Sequence, residues 1–87
     1  MDIREILDEP EKTHGSFPQH SEISQGLKRV LFANPKAALL SDVKREALEM
    51  VCHKLARIIA GDSNHADSYV DICGYITLAL REVEREQ

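Results

Sequence analysis

The chain contains little that would build a β-sheet and nothing that marks a disordered segment. Only 5% of its residues are aromatic and none is tryptophan, whereas 43% are hydrophobic and 30% are charged. Strands are enriched in aromatic and β-branched residues, and disordered chains are poor in apolar ones. The composition therefore predicts an all-α protein, and 87 residues make one domain with a small core.

Positive charge is also scarce, because 11 Lys and Arg residues face 15 Asp and Glu residues, for a net charge of -4. Such a balance gives no long-range attraction to a nucleic-acid backbone or to an anionic lipid surface, so we expect neither DNA or RNA binding nor membrane attachment. The N-terminal stretch MDIREILDEP lacks the apolar core of a secretory leader. A cytoplasmic protein is expected.

Cysteine is limited to Cys52 and Cys73, which do not form a Cys-x-x-Cys pair. Each falls inside a predicted helix, where a free cysteine commonly packs as a small apolar side chain. We predict two buried, free thiols in a reducing compartment, with no disulfide between them.

Apolar residues recur at helical spacing in three segments. The predicted helices are residues 18–33, 42–60 and 66–85. Asn34-Pro35 ends the first, and Ser41 is a suitable N-cap for the second. Residues 2–9 could add a short helix within a peripheral N-terminal segment, residues 1–15. The prediction is a single domain over residues 1–87 with a three-helix core.

The third predicted helix has more apolar surface than one neighbouring helix can cover. Its middle, residues 72–80, has few polar residues, and Asp67 and Asp71 share a face with Gly74 and Leu78. A glycine inside a helix often marks the close approach of another helix. We therefore predict a homo-oligomer, a dimer or a dimer of dimers, in which copies of the chain assemble into a helical bundle.

A short loop between the second and third helices predicts an antiparallel hairpin, which brings Lys54 and Arg57 near Asp67 and Asp71. Two interpretations stay open. The charges could neutralise each other as an interhelical salt-bridge cluster. Alternatively, Lys54 and Arg57 could bind phosphate oxygens while the two carboxylates bind Mg²⁺.

Other polar residues could extend such a site. Glu46 and Glu49 form a Glu-x-x-Glu pair that could join the aspartates as Mg²⁺ ligands. His14 and His65 lie in loops, where they could form hydrogen bonds to a ligand or cap a helix. The histidines do not have the spacing of a zinc site, and the chain lacks P-loop, Rossmann and nucleophile-elbow motifs.

Several segments together resemble a family of short proteins found in bacteriophages and prophages. The resemblance spans about residues 11–80 and is carried by THGSF (13–17), ISQGLK (23–28), REALEM (45–50), KLARI (54–58) and GDSNHADSYVDICGY (61–75). That family is distantly similar to the all-α NTP pyrophosphohydrolases of the MazG-like and dUTPase-like type, whose helices present an Glu-x-x-Glu and a later Glu-x-x-Asp to Mg²⁺.

This resemblance implies that Glu46 and Glu49 form the first metal-binding pair and that Asp67 and Asp71 form the second. The second pair departs from the enzyme pattern, because it is spaced by four residues and begins with aspartate. Two functions are therefore predicted. One is a nucleotide-binding protein of MazG-like type, with Mg²⁺-dependent NTP pyrophosphohydrolysis as its catalytic form. The other is a non-catalytic phage accessory protein in the host cytoplasm that sequesters a signalling nucleotide or binds a host protein.

Overall fold

The computed structural model describes residues 15–87 and contains no strand in that range. Its helices are α1 (Phe17–Phe32), α2 (Asp42–Ala60) and α3 (Ala66–Glu86), and a short 3-10 helix (Pro35–Leu39) joins α1 to α2. The all-α fold is confirmed, and each predicted helix boundary lies within one residue of the observed one. The helix predicted over residues 2–9 lies outside the described residues.

Side-chain caps explain where the first two helices begin. The Ser16 hydroxyl accepts a hydrogen bond from the Gln19 N–H at 3.3 Å, and the Ser41 hydroxyl accepts one from the Lys44 N–H at 3.2 Å. Each cap satisfies a backbone donor that the helix itself cannot pair. Asn34 caps the 3-10 helix in the same way, so the chain turns between α1 and α2 without losing these hydrogen bonds.

The α2 helix is central, with α1 and α3 packed on its opposite sides and scarcely touching each other. The contacts include Phe32–Arg45 and His20–His53 between α1 and α2, and Lys44–Glu86 and Lys54–Asp71 between α2 and α3. The last two pairs run in opposite directions along the helices, so α2 and α3 form the predicted antiparallel hairpin. The three helices make an open layer.

Few side chains are buried in this layer, and most of them are small. They are Ala47, Cys52, Ala56 and Ile58, with the polar residues His20, Ser24 and Ser68. Many large apolar side chains remain more than half exposed, namely Phe17, Val30, Leu31, Leu39, Ile59, Val70 and Leu80. Helices joined through small side chains approach closely, but they bury little apolar area. Most of the apolar surface of α1 and α3 therefore has no covering partner within the described chain.

The two cysteines are free thiols, as predicted, but they differ in burial. Cys52 is enclosed between α1 and α2, whereas Cys73 is exposed on α3. The prediction that Cys73 is buried was wrong, because α1 packs on the far side of α2 and covers no part of α3 near this residue. Among the described residues, no helix is long and apolar enough to cross a bilayer.

Candidate functional site

Four charged residues, Lys54, Arg57, Asp67 and Asp71, were predicted to approach one another, and two of them form an interhelical ion pair. Lys54 Nζ on α2 lies 2.9 Å from Asp71 Oδ2 on α3, and the lysine side chain is only 13% exposed. The hydrogen bond from Lys54 lowers the pKa of Asp71, since it favours the carboxylate form. This pair fastens the hairpin near its loop end.

The other two charged residues, Arg57 and Asp67, do not form an ion pair with each other. Arg57 is half-buried, and its guanidinium forms no ion pair with any residue of the described range. The Asp67 side chain is 85% exposed and has its Oδ2 atom 4.0 Å from Nε2 of His65. Among the described residues, Lys54 is therefore paired with Asp71, whereas Arg57 forms no direct ion pair but still helps to lower the pKa of Asp71. Both interpretations stay open.

Two histidines that the sequence analysis did not select lie next to these cations. His20 on α1 is buried, and its Nε2–H donates to the backbone carbonyl of His53 on α2 at 3.2 Å. The two rings meet edge to face, with centroids 4.4 Å apart. A signal was present, because His20 and Ser24 are polar residues in the stripe of α1 that also carries Leu27 and therefore faces α2.

The pKa of His53 shows that positive charge is concentrated around this residue. Burial lowers its pKa to about 4, with further depression from His20, Arg57, Lys54 and Lys28. The pKa of His20 is also lowered, mainly by burial. Both imidazoles are therefore neutral near pH 7. The ionisable groups that act most on His53 are His20 and the three cations. We call Lys28, His53, Lys54 and Arg57 the basic cluster.

The carboxylates predicted to bind Mg²⁺ do not assemble with one another. Arg45 Nε holds Glu49 Oε1 at 3.0 Å, and the same guanidinium lies 4.3 Å over the Phe32 ring. Glu46 is exposed and lies about 12 Å along α2 from Lys54, because each helical residue advances the chain by about 1.5 Å. Asp71, paired with Lys54, is thus far from Glu46.

Within residues 15–87 no three His, Cys, Asp or Glu side chains are grouped so that they could hold a metal ion. A Mg²⁺ site made from Glu46, Glu49, Asp67 and Asp71 is not formed by these residues of one chain. It would need carboxylates from a second copy.

The two loop histidines predicted as ligand contacts have different outcomes. His65 lies at the N-terminus of α3, near Asp67, and it is one of the groups that lower the pKa of Asp71. It therefore borders the Lys54–Asp71 pair. His14 lies outside the described residues.

Acid should destabilise the fold as the pH falls from about 6.5 towards about 4 because of His53. Its pKa in the folded protein is depressed below the ordinary value of 6.5, so the unfolded chain takes up a proton first. The stabilising effect of the neutral ring is complete above pH 6.5 and is lost through this window. Urea titrations at several pH values should show the loss, and His53→Gln should flatten it. A His53 resonance that titrates near pH 6.5 in the native protein would contradict the expectation.

The fold and the site define a small all-α protein with a basic cluster where α1 meets α2. The chain belongs to the DUF6378 family, whose profile matches residues 4–83 and is described as a domain of unknown function. Searches of the curated proteins and of the solved structures find no match. A family of unknown function agrees in coarse terms with the resemblance to little-characterised proteins. The phage origin and the likeness to pyrophosphohydrolases stay predictions.

Proposed function

We propose that the protein binds a phosphorylated small molecule of nucleotide type at the basic cluster. The observation that carries the proposal is Arg57, which is half-buried near other cations and forms no ion pair with the described residues, although it helps to lower the pKa of Asp71. Crowding positive groups in a protein whose net charge is negative is unfavourable unless an anion completes the arrangement. A guanidinium binds phosphate through two parallel hydrogen bonds, which favours this class of anion.

Each member of the cluster has a distinct part in the proposed site. Arg57 supplies the planar fork, and Lys28 adds a positive charge from α1. Lys54 is paired with Asp71, so it contributes less positive charge to the site, but this ion pair holds α3 beside the basic cluster. Neutral His53 can donate one hydrogen bond to a phosphate oxygen without adding to the repulsion among the cations. Binding would therefore order the contact between α1 and α2.

Binding without hydrolysis is the form that the geometry of one chain supports better. Hydrolysis of MazG-like type requires several carboxylates around Mg²⁺, whereas Glu49 is held by Arg45 and Glu46 lies apart from the aspartates. We propose a phage-type protein that acts in the host cytoplasm by binding or sequestering a nucleotide. If copies of the chain bring the two carboxylate pairs together, the same site would perform Mg²⁺-dependent pyrophosphohydrolysis.

Self-association is the second part of the proposal. The exposed apolar residues of α1 and α3 are too numerous for the small core to account for stable folding of a single chain of this length. A second copy could bury them on formation of a homo-oligomer. Light scattering at tens of micromolar tests this part, and a monomer would contradict it.

Replacing Arg57 should separate ligand binding from stability. Nucleotides that bind the folded state raise the melting temperature by mass action, so wild-type protein is screened with linear and cyclic nucleotides, with and without Mg²⁺. Arg57→Ala should not lower the melting temperature of the unliganded protein, since no ion pair with the described residues is lost and repulsion among the cations is reduced. It should lower the affinity for the nucleotide at least about tenfold. Arg57→Lys should not restore binding, because a lysine lacks the bidentate fork.

Arg29→Ala is the matched control, because Arg29 is exposed on α1 and is not a member of the basic cluster. It should keep the nucleotide-induced shift. If no nucleotide stabilises the wild type, or if Arg29→Ala and Arg57→Ala behave alike, the basic cluster is not the binding site. Release of pyrophosphate from an NTP in the presence of Mg²⁺ would establish the catalytic form.

A further inference from the structure

One exposed stripe of α3 is acidic at its N-terminal end and basic at its C-terminal end. Its members follow one another at alternating steps of four and three residues and so lie on one side of the helix. In order they are Asp67, Asp71, Gly74, Leu78, Arg81 and Arg85. The stripe begins acidic, has a glycine and a leucine at its centre and ends basic. We call it the α3 stripe.

The structure places the centre of the α3 stripe on an open surface. Asp71, Gly74, Leu78 and Arg81 line a single groove of about 540 Å³. Half of the Leu78 side chain is exposed, and a Cβ atom built on Gly74 would meet nothing within 4 Å. The close helix approach that Gly74 predicted is therefore not made by any part of its own chain that the structure describes.

We propose that α3 packs antiparallel against α3 of a second copy through this stripe, with the twofold axis beside residue 76. In an antiparallel pair, facing residues have numbers of constant sum. This register places Asp67 against Arg85 of the partner subunit and Asp71 against Arg81 of the partner subunit. Leu78 of the partner subunit then enters the space beside Gly74, and every contact occurs twice.

The charges select this orientation and no other. A parallel pair would place each aspartate against its own copy and each arginine against its own copy, which is repulsive. Moving the antiparallel register by one helical turn would keep only one kind of charge pair, Asp67 with Arg81 of the partner subunit or Asp71 with Arg85 of the partner subunit. It would also bring the two Gly74 residues or the two Leu78 side chains together. Only the proposed register combines attraction at both ends with a large residue facing a small one in the middle.

The existing ion pairs leave these charges available. Arg81 forms no ion pair with the described residues, and Asp71 uses Oδ2 for Lys54 while its side chain remains 45% exposed. Arg85 contacts Glu82 on its own helix at 3.3 Å but is 78% exposed, so this pair is easily exchanged. Asp71 would then lie between Lys54 and the partner's Arg81. The interface would therefore adjoin Lys54, which is a member of the basic cluster.

The inference rests on the proposed self-association and not on ligand binding, and charge reversal tests it. In Arg81→Glu/Arg85→Glu the whole stripe is acidic, so all facing pairs become repulsive. The dimer dissociation constant should rise about tenfold or more at low ionic strength. The control Arg29→Glu/Lys36→Glu makes the same change in net charge at exposed positions on α1 and the 3-10 helix, and it should associate like wild type.

A complementary variant makes the test specific for the register. Asp67→Lys keeps the Lys54–Asp71 pair and places a lysine against Arg85 of the partner subunit, so it should also weaken self-association. Mixed one to one, Asp67→Lys and Arg85→Glu should form a heterodimer, because every facing charge pair of the stripe is then attractive. Sedimentation velocity measures the association, and circular dichroism at each step confirms unchanged helix content.

Gly74→Leu gives a second test that does not depend on charge. The open space beside Gly74 means that the leucine fits within the chain, so helix content should be retained while the dimer is lost to overpacking at the twofold axis. A wild-type monomer would remove both the self-association and this interface. A wild-type oligomer that tolerates the acidic variant and Gly74→Leu would reject the α3 stripe alone and place the interface on another apolar surface of the chain.

Discussion

Replacing Ala56 with leucine should destabilise the protein by about 2–3 kcal/mol, because the added atoms have no space between α1 and α2. Ala56 is 0% exposed and lies on the stripe of α2 that also carries Arg45, Glu49 and Cys52. This stripe faces α1, as the Arg45 contact with Phe32 shows. Small side chains on both helices permit the close approach here, and a leucine would force the helices apart.

The measurement is the free energy of unfolding from urea titration at fixed protein concentration, since assembly would also change the apparent stability. Ala66→Leu is the matched control, because it adds the same atoms at an exposed position in the first turn of α3. Its effect should stay within about 0.5 kcal/mol. Equal losses in the two variants would show that tight packing around Ala56 is not what limits the size of its side chain.

The helices and their ends could be predicted from the sequence because local chemistry determines them. Ser41 caps α2 as predicted, Asn34-Pro35 follows the end of α1, and the short loop after Ala60 makes α2 and α3 antiparallel. These features depend on backbone hydrogen bonds and chain connectivity over a few residues. They change little with the way in which the helices pack.

The arrangement of the helices around α2 could not be predicted in the same way. Helical periodicity shows which residues share a face, but it does not show which neighbour covers that face. Cys73 was predicted to be buried for this reason, yet α1 packs on the opposite side of α2. In the same way, the hairpin predicted that basic and acidic residues approach each other, but not that Lys54 would form the ion pair with Asp71 while Arg57 forms none with the described residues.

The basic cluster depends on contacts between residues that are distant in sequence. His20 and His53 lie 33 positions apart, and neither has the spacing of a known ligand motif. Their low pKa values arise from burial and from cations on two helices, which only the packing of α1 against α2 brings together. A histidine among apolar residues of a helical stripe is therefore the one local sign of such a site.

Substituting Gly15 with alanine should also cost stability, because Gly15 is the residue at which the chain crosses the end of α2 just before α1. Its backbone has φ 76°, in the left-handed region that non-glycine residues enter at a cost of about 1–2 kcal/mol. A Cβ atom at this position would collide with the carbonyl group of Ala60, the last residue of α2. The carbonyl belongs to helical backbone and cannot move aside cheaply, so we expect a loss of about 2 kcal/mol or more in the free energy of unfolding.

Gly26→Ala provides a control with the same chemical change and the opposite expected sign. Gly26 lies inside α1 and outside the α3 stripe, and its added Cβ would have only the Arg29 side chain nearby, at 3.8 Å. Alanine at this half-buried position inside the helix should therefore stabilise the protein by about 0.5–1 kcal/mol. Since both substitutions restrict the unfolded chain equally, the difference between them isolates the backbone strain and the contact with Ala60. If Gly15→Ala were as stable as Gly26→Ala, the segment before α1 would not be held against the end of α2, and the contact between Gly15 and Ala60 would contribute nothing to the fold.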